Sequence, residues 1–234
     1  MRMRPVFDRK PRHRFGSLAS NSLATEEKER HEPTTPNLAR FPRPQARTER
    51  IPPGQHLTSD FPVLSAGPTP HRNLENWSFS LYDGDTVLAE WSWVDFEALP
   101  QTSVKVDIHC VTTWSKLDTH WQGVTIDTLL EAARLPEPPT PFTMIYSDGD
   151  YSTNIPVKDL TEGKAMVATR YEGNPLPPEH GGPARLLVPH LYFWKSAKWV
   201  RRVQFITNDR PGFWEELGYH IYGDPWREQR YAGD

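Results

Sequence analysis

The sequence has almost no cysteine and no long apolar run, and each shortage excludes a class of protein. Cys110 is the only cysteine among 234 residues, so no disulfide can form within the chain. No stretch approaches the ~20 apolar residues that a membrane-spanning helix needs. The arginine-rich start, "MRMRPVFDRKPRHRFGS", lacks the apolar region of a secretory or twin-arginine signal. Together these absences predict a cytoplasmic protein without a disulfide framework.

Charge divides the chain into a basic arm and an acidic domain. Residues 1–57 hold 12 Lys and Arg against 6 Asp and Glu, whereas residues 58–234 hold 15 against 24. The arm is polar and proline-rich, a composition that buries too little apolar surface to fold alone. We interpret residues 1–57 as a solvated arm, partly disordered or draped over the domain. A nucleic-acid or membrane-binding segment is the alternative, disfavoured because the charges are mixed and aromatics are scarce.

Residues 58–234 show many short strand patterns and few helical ones. They carry all nine tryptophans, enough apolar surface for a sizeable core. Alternation and turn residues predict strands within residues 77–81, 104–110, 142–157, 164–177, 184–189 and 199–206. Helices are predicted in "SWVDFEALP", with Ser92 as N-cap, and in "TIDTLLEAARLPEPP", with one further turn in "RPGFWEELGYH". This pattern is typical of an α+β fold.

Cys110 ends a predicted strand whose apolar face also carries Val104, Val106 and Ile108. We expect an irregular loop to follow, because "TTWSKLDTHWQG" shows no period. A lone cysteine is most often an inert core residue. A core-facing residue at a strand end, however, points into a cavity more readily than into a packed layer.

The thiol has two alternative chemical roles besides the inert one. Zinc is disfavoured because local Cys/His pairs are absent, His109 faces the other side of the strand and His120 is only a loop candidate. A nucleophile activated by His180 or His190 stays open as an alternative.

A second candidate site lies in "EHGGPARLLVPHLYFWKSAKWVRRV", residues 179–203. Glycines allow backbone amides to approach a ligand, Arg185 offers a planar fork for phosphate oxygens, and Lys198 adds a point charge. The combination is typical of a phosphate-binding site. An ordinary Gly-Gly-Pro turn followed by solvent-exposed basic side chains would have the same sequence, and it is the alternative interpretation. A third segment, "GFWEELGYH", contains Tyr219 and by itself favours an aromatic core.

In this order, "HCVTTWS", "NPLPPEHGGPARLLVP", "KSAKWV" and "GFWEELGYHIYGDPW" resemble the molybdopterin domain of the sulfite oxidase family, in its short bacterial oxidoreductase branch. The resemblance covers roughly Phe61 to Trp226. It implies an oxidoreductase with a molybdenum–molybdopterin cofactor, without an appended nucleotide or haem, that catalyses two-electron oxygen-atom transfer on an undetermined small molecule. A non-catalytic cofactor carrier is the alternative. With no haem or dimerisation domain in view, we expect a separate electron donor or acceptor protein and a monomer.

The same resemblance implies roles for individual residues. Cys110 takes the place of the thiolate that ligates molybdenum, Trp114 that of its neighbouring aromatic, and Tyr219 that of the tyrosine over the metal. Leu64 replaces an arginine that faces an anionic substrate in animal and plant enzymes, so a small dianion lacks that clamp. The implied cofactor contacts are Val63, Leu64, Ser65, Asp148, His180, Arg185, Ser196, Ala197 and Lys198.

Overall fold

Eleven strands and three short α-helices form the part of the chain that the computed structural model describes, residues 47–65 and 67–234. None of these helices is long and apolar enough to cross a membrane. The helices are α1 (Trp93–Glu97), α2 (Ile126–Ala132) and α3 (Phe213–Glu216). The strands are β1 (His56–Leu57), β2 (Ser78–Asp83), β3 (Thr86–Ser92), β4 (Thr102–His109), β5 (Trp114–Thr125), β6 (Phe142–Ser147), β7 (Ser152–Pro156), β8 (Met166–Tyr171), β9 (Asn174–Pro175), β10 (Arg185–Leu187) and β11 (Val200–Ile206).

The strands form two mixed sheets with the main core between them. One sheet has the order β1-β5-β8-β10, with β4 also paired to β5 and β9 to β8. The other has the order β3-β2-β11-β6-β7. Buried side chains of the first sheet, such as Val124 and Leu186, belong to the same apolar cluster as Phe79, Val203 and Phe205 of the second. The predicted α+β class is confirmed.

Local sequence signals set both longer helices. The Ser92 side chain accepts a hydrogen bond from the backbone N–H of Asp95 at the start of α1. Thr125 caps α2 in the same way through the N–H of Thr128. Such caps satisfy backbone donors that the first helical turn cannot pair internally.

The segment after Cys110 is a strand, so the predicted irregular loop is wrong. β5 runs antiparallel to β4, and the residue pairs Val106–Thr119 and Ile108–Lys116 show that β5 carries an extra residue between them. Asp118 occupies this bulge with φ of 60°. A bulge shifts the alternation of side chains along a strand, which is why β5 shows no simple period in the sequence.

Residues 47–57, placed in the arm by composition, pack on the domain. Arg47–Arg50 forms a 3₁₀ turn, and β1 pairs in parallel with Trp114 and Ser115 of β5. Arg50 donates hydrogen bonds to both carboxylate oxygens of Asp107, at 2.8 and 2.5 Å. The rest of the predicted arm, residues 1–46, lies outside the described residues.

Candidate functional site

A cavity of about 750 Å³ opens where loops from both sheets converge. Its walls come from residues within 61–72, 110–114, 148–151, 193–199 and 213–219, together with Arg185. Loops held at the ends of rigid strands are the usual place for binding residues. The cavity therefore draws together the three stretches that the sequence marked out separately.

Cys110 lies in this wall at a tight turn between β4 and β5. The turn closes through hydrogen bonds from the Cys110 N–H to the Trp114 carbonyl and from the Thr113 N–H to the Cys110 carbonyl, at 2.9 and 3.0 Å. The Cys110 side chain is 7% exposed. Burial raises the pKa of its thiol, while a hydrogen bond from Thr112 Oγ1 to Sγ, at 3.1 Å, and the positive charge of Arg185 oppose that rise.

Arg185 lies in the cavity wall, almost fully buried and without a carboxylate partner among the described residues. Its two terminal nitrogens donate to the carbonyls of His180 and Ser196, at 2.7 and 2.6 Å. Its Nε has no partner in the described part of the chain. Because burial disfavours the charged form, it lowers the pKa of this guanidinium. A buried cation in this state favours an anionic ligand.

Lys198 adds a second cation to the cavity wall. Its ammonium donates to the carbonyls of Leu64 and Glu179, at 2.7 and 2.6 Å, which fastens the 61–72 segment to the 178–180 turn. Burial, followed by repulsion from Arg185, lowers the pKa of Lys198 to about 8. Neither contact supplies a carboxylate, so both cations depend on neutral carbonyl dipoles.

Tyr219 stands half-buried in an aromatic part of the wall. Its ring lies 5.2 Å from that of Trp194 and 5.1 Å from that of Trp214, measured between centroids. Burial raises the pKa of the phenol, and a negative charge on Cys110 raises it further. The phenol therefore stays protonated at neutral pH and can donate a hydrogen bond near the thiol.

The structure brings most, though not all, of the sequence-derived site residues to the cavity. Val63 is half exposed and His180 stacks on the ring of Phe61, with centroids 3.8 Å apart; neither lines the wall. His180 is one layer behind, and its buried Nδ1 has no partner among the described residues. The residues that do line the wall are Leu64, Ser65, Cys110, Asp148, Arg185, Ser196, Ala197, Lys198 and Tyr219.

The two glycines before Arg185 have a different role from the expected one. Gly181 and Gly182 do not line the cavity. A Cβ on Gly181 would lie 2.9 Å from Lys198 Cα, and one on Gly182 would lie 2.0 Å from the Leu176 carbonyl oxygen. They are needed for close backbone packing, which lets the loop hold Lys198 in place.

Sequence reasoning missed a buried ion pair behind the aromatic wall. Lys195 Nζ lies 2.6 Å from Glu215 Oε1, and both side chains are 1% exposed. Glu215 also accepts hydrogen bonds from Trp194 Nε1 and Thr153 Oγ1, each at 2.9 Å. The available signal was a glutamate three residues after Gly212, whose N–H bonds Glu215 Oε2 at the start of α3.

Comparison with known proteins identifies the family of this chain. The family described as "Oxidoreductase molybdopterin binding domain" matches residues 66–214. The chain belongs to this sulfite oxidase-type family of molybdopterin-binding oxidoreductases.

Three relatives show the breadth of the family. The chain is 42% identical to an uncharacterized oxidoreductase, YuiH, of Bacillus subtilis over 189 residues, 79% of this chain and 93% of that one. It is 28% identical to a putative protein-methionine-sulfoxide reductase subunit, YedZ1, of Azospira oryzae over 73% of this chain and 66% of that one. The fold resembles the sulfane dehydrogenase SoxCD of Paracoccus pantotrophus, with a TM-score of 0.52 and 18% identity over 60% of this chain and 40% of that one.

The described residues fit a molybdopterin-type cofactor in this family's cavity. Arg185 is buried and Lys198 half-buried, and neither has a carboxylate partner there, so both are suited to bind a phosphate-bearing ligand. No three His, Cys, Asp or Glu side chains gather into a metal site within residues 47–65 and 67–234. A metal beside Cys110 would therefore take most of its ligands from the cofactor, and a thiolate suits a soft metal centre.

Proposed function

We propose that this chain is a molybdenum-dependent oxidoreductase that catalyses two-electron oxygen-atom transfer, with Cys110 as the protein ligand of the metal. The observation that carries the proposal is one shared cavity. Its wall holds a single thiol at a fixed turn, one buried cation (Arg185) and one half-buried cation (Lys198), and neither cation has a carboxylate partner among the described residues. The bound cofactor would supply the redox chemistry, and the protein would position it and adjust its surroundings.

The cations and the thiol have separate tasks in this proposal. Arg185 and Lys198 bind the anionic end of the cofactor, helped by the neighbouring Ser196 and Ala197 and by the backbone of Leu64 and Ser65, which line the wall where Val63 does not. Thr112 and Arg185 stabilise the thiolate form of Cys110 against the cost of burial. This assignment explains why a buried cysteine has both a hydroxyl donor and a positive charge nearby.

Three more residues complete the proposed site. Tyr219 presents its phenol to the substrate side of the cavity and can donate a hydrogen bond to an oxygen there. Asp148 also lines the wall, where Arg72 Nε lies 3.1 Å from its Oδ2. His180 supports the cofactor from behind Phe61.

The cavity surroundings favour a neutral S-oxide or N-oxide over a small dianion. Leu64 lines the wall, Arg72 is paired with Asp148, and Arg185 and Lys198 are assigned in this proposal to the anionic end of the cofactor. Reduction of such an oxide consumes two electrons and two protons and releases water. We propose that a separate electron-carrier protein supplies those electrons. Relatives include a protein-methionine-sulfoxide reductase of Pseudomonas syringae, 27% identical over 50% of this chain and 39% of that one.

The decisive experiment is to purify the full chain from a molybdopterin-competent host and measure its cofactor and activity. Molybdenum is measured by elemental analysis and pterin by fluorescence after oxidation. Turnover is measured with methionine sulfoxide, N-oxides and sulfite, using dye donors and acceptors. We expect nearly one molybdenum and one pterin per chain and activity on a neutral oxide.

Cys110→Ser tests the metal ligand directly. The variant should keep the melting temperature of the wild type within a few degrees but lose turnover, because a serine hydroxyl is a poor ligand for a soft metal. Full activity of the metal-loaded variant would contradict the proposal, as would the absence of molybdenum and pterin from the wild type. A loaded wild type without turnover on any of these substrates would indicate the carrier function instead.

A further inference from the structure

The turn that carries Cys110 is fastened from outside by both ends of the described chain. Within the turn, only the two short hydrogen bonds between Cys110, Thr113 and Trp114 hold the backbone. Thr113 has φ of 76°, in the left-handed region that a β-branched residue rarely adopts. A turn of this kind needs external contacts to keep one conformation.

The first contact comes from Gln55, just before β1. Its Nε2 donates to the Cys110 carbonyl at 3.1 Å, and its Oε1 accepts from Ser115 Oγ at 3.4 Å. The amide therefore bridges the two sides of the β4–β5 hairpin. The opposite amide orientation would direct one oxygen at the Cys110 carbonyl, so these partners fix the assignment. The next residue continues the attachment, with the His56 N–H donating to the Thr113 carbonyl at 2.8 Å.

The second contact comes from Arg230, near the other end of the chain. Its Nη1 donates to the Val111 carbonyl at 2.6 Å, and its Nη2 donates to the Pro53 carbonyl at 3.4 Å. The guanidinium also lies over the ring of the fully buried Tyr192, 5.1 Å from the centroid. Arg230 thus joins the Cys110 turn, the segment before β1 and the core in one contact.

The two fastening segments also pack against each other. Gly54 has φ of 67°, and a Cβ on it would lie 2.7 Å from Glu228 Oε1 and 3.1 Å from Arg230 Nη2. Gln55 and Arg230 both fall outside residues 66–214, the range that the family description matches. The contacts that hold the thiol-bearing turn are therefore made by parts of this chain that the common family range does not include.

We propose that Gln55 and Arg230 are positioning residues that hold the Cys110 turn and so set the direction and accessibility of the Cys110 thiol. We call this pair the turn clasp. The inference rests on the proposed function for its importance to catalysis, since it assumes that Cys110 is the metal ligand. The effect of the turn clasp on the conformation of the Cys110 turn can be tested without measuring turnover.

The single cysteine makes the test unambiguous, because a thiol reagent can label only Cys110. The full chain is prepared with cofactor and, from a host that cannot make the pterin, without it. The rate of alkylation by iodoacetamide is followed by mass spectrometry for the wild type and for Gln55→Ala and Arg230→Met. In the cofactor-free chain, each variant should label about three to ten times faster, the factor by which loss of one hydrogen bond raises the open population of a turn.

A matched control and a partial rescue separate positioning from general destabilisation. Arg227 is an exposed arginine in the same C-terminal segment, so Arg227→Met should label like the wild type. Arg230→Lys keeps one donor for the Val111 carbonyl and should recover part of the lost protection. In the loaded chain, Gln55→Ala and Arg230→Met should shift the thiolate-to-metal absorption band, whereas Arg227→Met should not.

The proposed role of the turn clasp is wrong if Gln55→Ala and Arg230→Met both stay folded, are labelled at the wild-type rate and leave the absorption band unchanged. A separate result tests the proposed function. If Cys110→Ser keeps the wild-type metal spectrum, Cys110 is not the ligand, while the labelling rates of the cofactor-free chains still decide the clasp.

Discussion

Two sets of basic side chains within residues 185–198 differ in how their charge is compensated: the buried Lys195 forms one set, and the buried Arg185 with the half-buried Lys198 forms the other. Lys195 meets the carboxylate of Glu215 at 2.6 Å and also donates to Asn154 Oδ1 at 2.7 Å. Arg185 and Lys198 face the cavity and meet carbonyls, with no carboxylate in the described part of the chain. The charge of Lys195 is paired within the fold, whereas the charges of Arg185 and Lys198 remain available to the anionic ligand that we propose.

The paired group explains the shape of the aromatic wall. Glu215 on α3 binds both Lys195 and the indole of Trp194, and Trp194 in turn packs against Tyr219. The ion pair therefore joins the loop before β11 to the helix that precedes Tyr219. Its function is to build the wall, while Arg185 and Lys198 are available to bind.

The largest effect should follow from breaking the paired group. Glu215→Leu leaves Lys195 buried without a carboxylate, which should lower the free energy of unfolding by roughly 3–5 kcal/mol. Urea unfolding of the full chain measures this. Glu216→Leu, on the exposed neighbour in α3, should change stability by about 0.5 kcal/mol or less. Equal losses in the two variants would show that the pair does not stabilise the wall.

Removal of an unpaired cation should instead weaken cofactor binding without unfolding the chain. In Lys198→Met we expect roughly 10- to 100-fold weaker retention of the cofactor, since a hydrogen bond to a charged group contributes about 1.5–3 kcal/mol. Pterin and molybdenum remaining after dialysis measure this loss. Lys105→Met, which changes an exposed lysine on β4, is the control. Wild-type retention by Lys198→Met would contradict the binding role.

The smallest predicted effect is a pH dependence of anion binding. Burial and, after it, repulsion from Arg185 lower the pKa of Lys198 from 10.5 to about 8, although Glu179 and Cys110 act in the opposite direction. Between pH 8 and pH 10.5 the Lys198 side chain holds its proton more tightly in the unfolded chain than in the folded one. The cofactor-free chain should therefore gain stability as the pH rises through this interval. A bound anion favours the protonated lysine, so anion affinity should fall over the same interval.

Sulfate is a suitable probe, because its charge is constant across this pH range. The thermal stabilisation that sulfate gives to the cofactor-free chain should shrink as the pH rises through about 8. In Lys198→Arg the decrease should move to higher pH, because an arginine holds its proton more strongly. A profile that is identical in both proteins would show that Lys198 does not bind the anion.

The sequence predicted the strands and helices whose signals are local. The strand β2, the Ser92 cap and the strands around Ile145 and Val203 follow from alternation, capping and turn residues. The strand β5 escaped prediction because the bulge at Asp118 breaks its alternation. Pairing with β4, which lies nearby along the chain, supplies the stabilisation that local pattern does not reveal.

The residues of the candidate site likewise fall into those that the sequence predicts and those that it does not. Cys110, Arg185, Lys198 and Tyr219 could be selected from residue type, spacing and family resemblance, and all four line one cavity. Gln55, Arg230 and the partner of Lys195 could not, because their contacts span 55, 119 and 20 positions of the chain for Gln55–Cys110, Arg230–Val111 and Lys195–Glu215. Nothing local marks such a partner.

The sequence by itself determined the chemistry available to this protein: one thiol, a glycine-lined basic segment and an aromatic C-terminal region, in the order of a known family. The tertiary structure alone decided which of its basic side chains are paired with a carboxylate. Whether a cation such as Lys195 or Lys198 meets a carboxylate depends on distant segments packing side by side, and burial multiplies the energetic difference between the two outcomes.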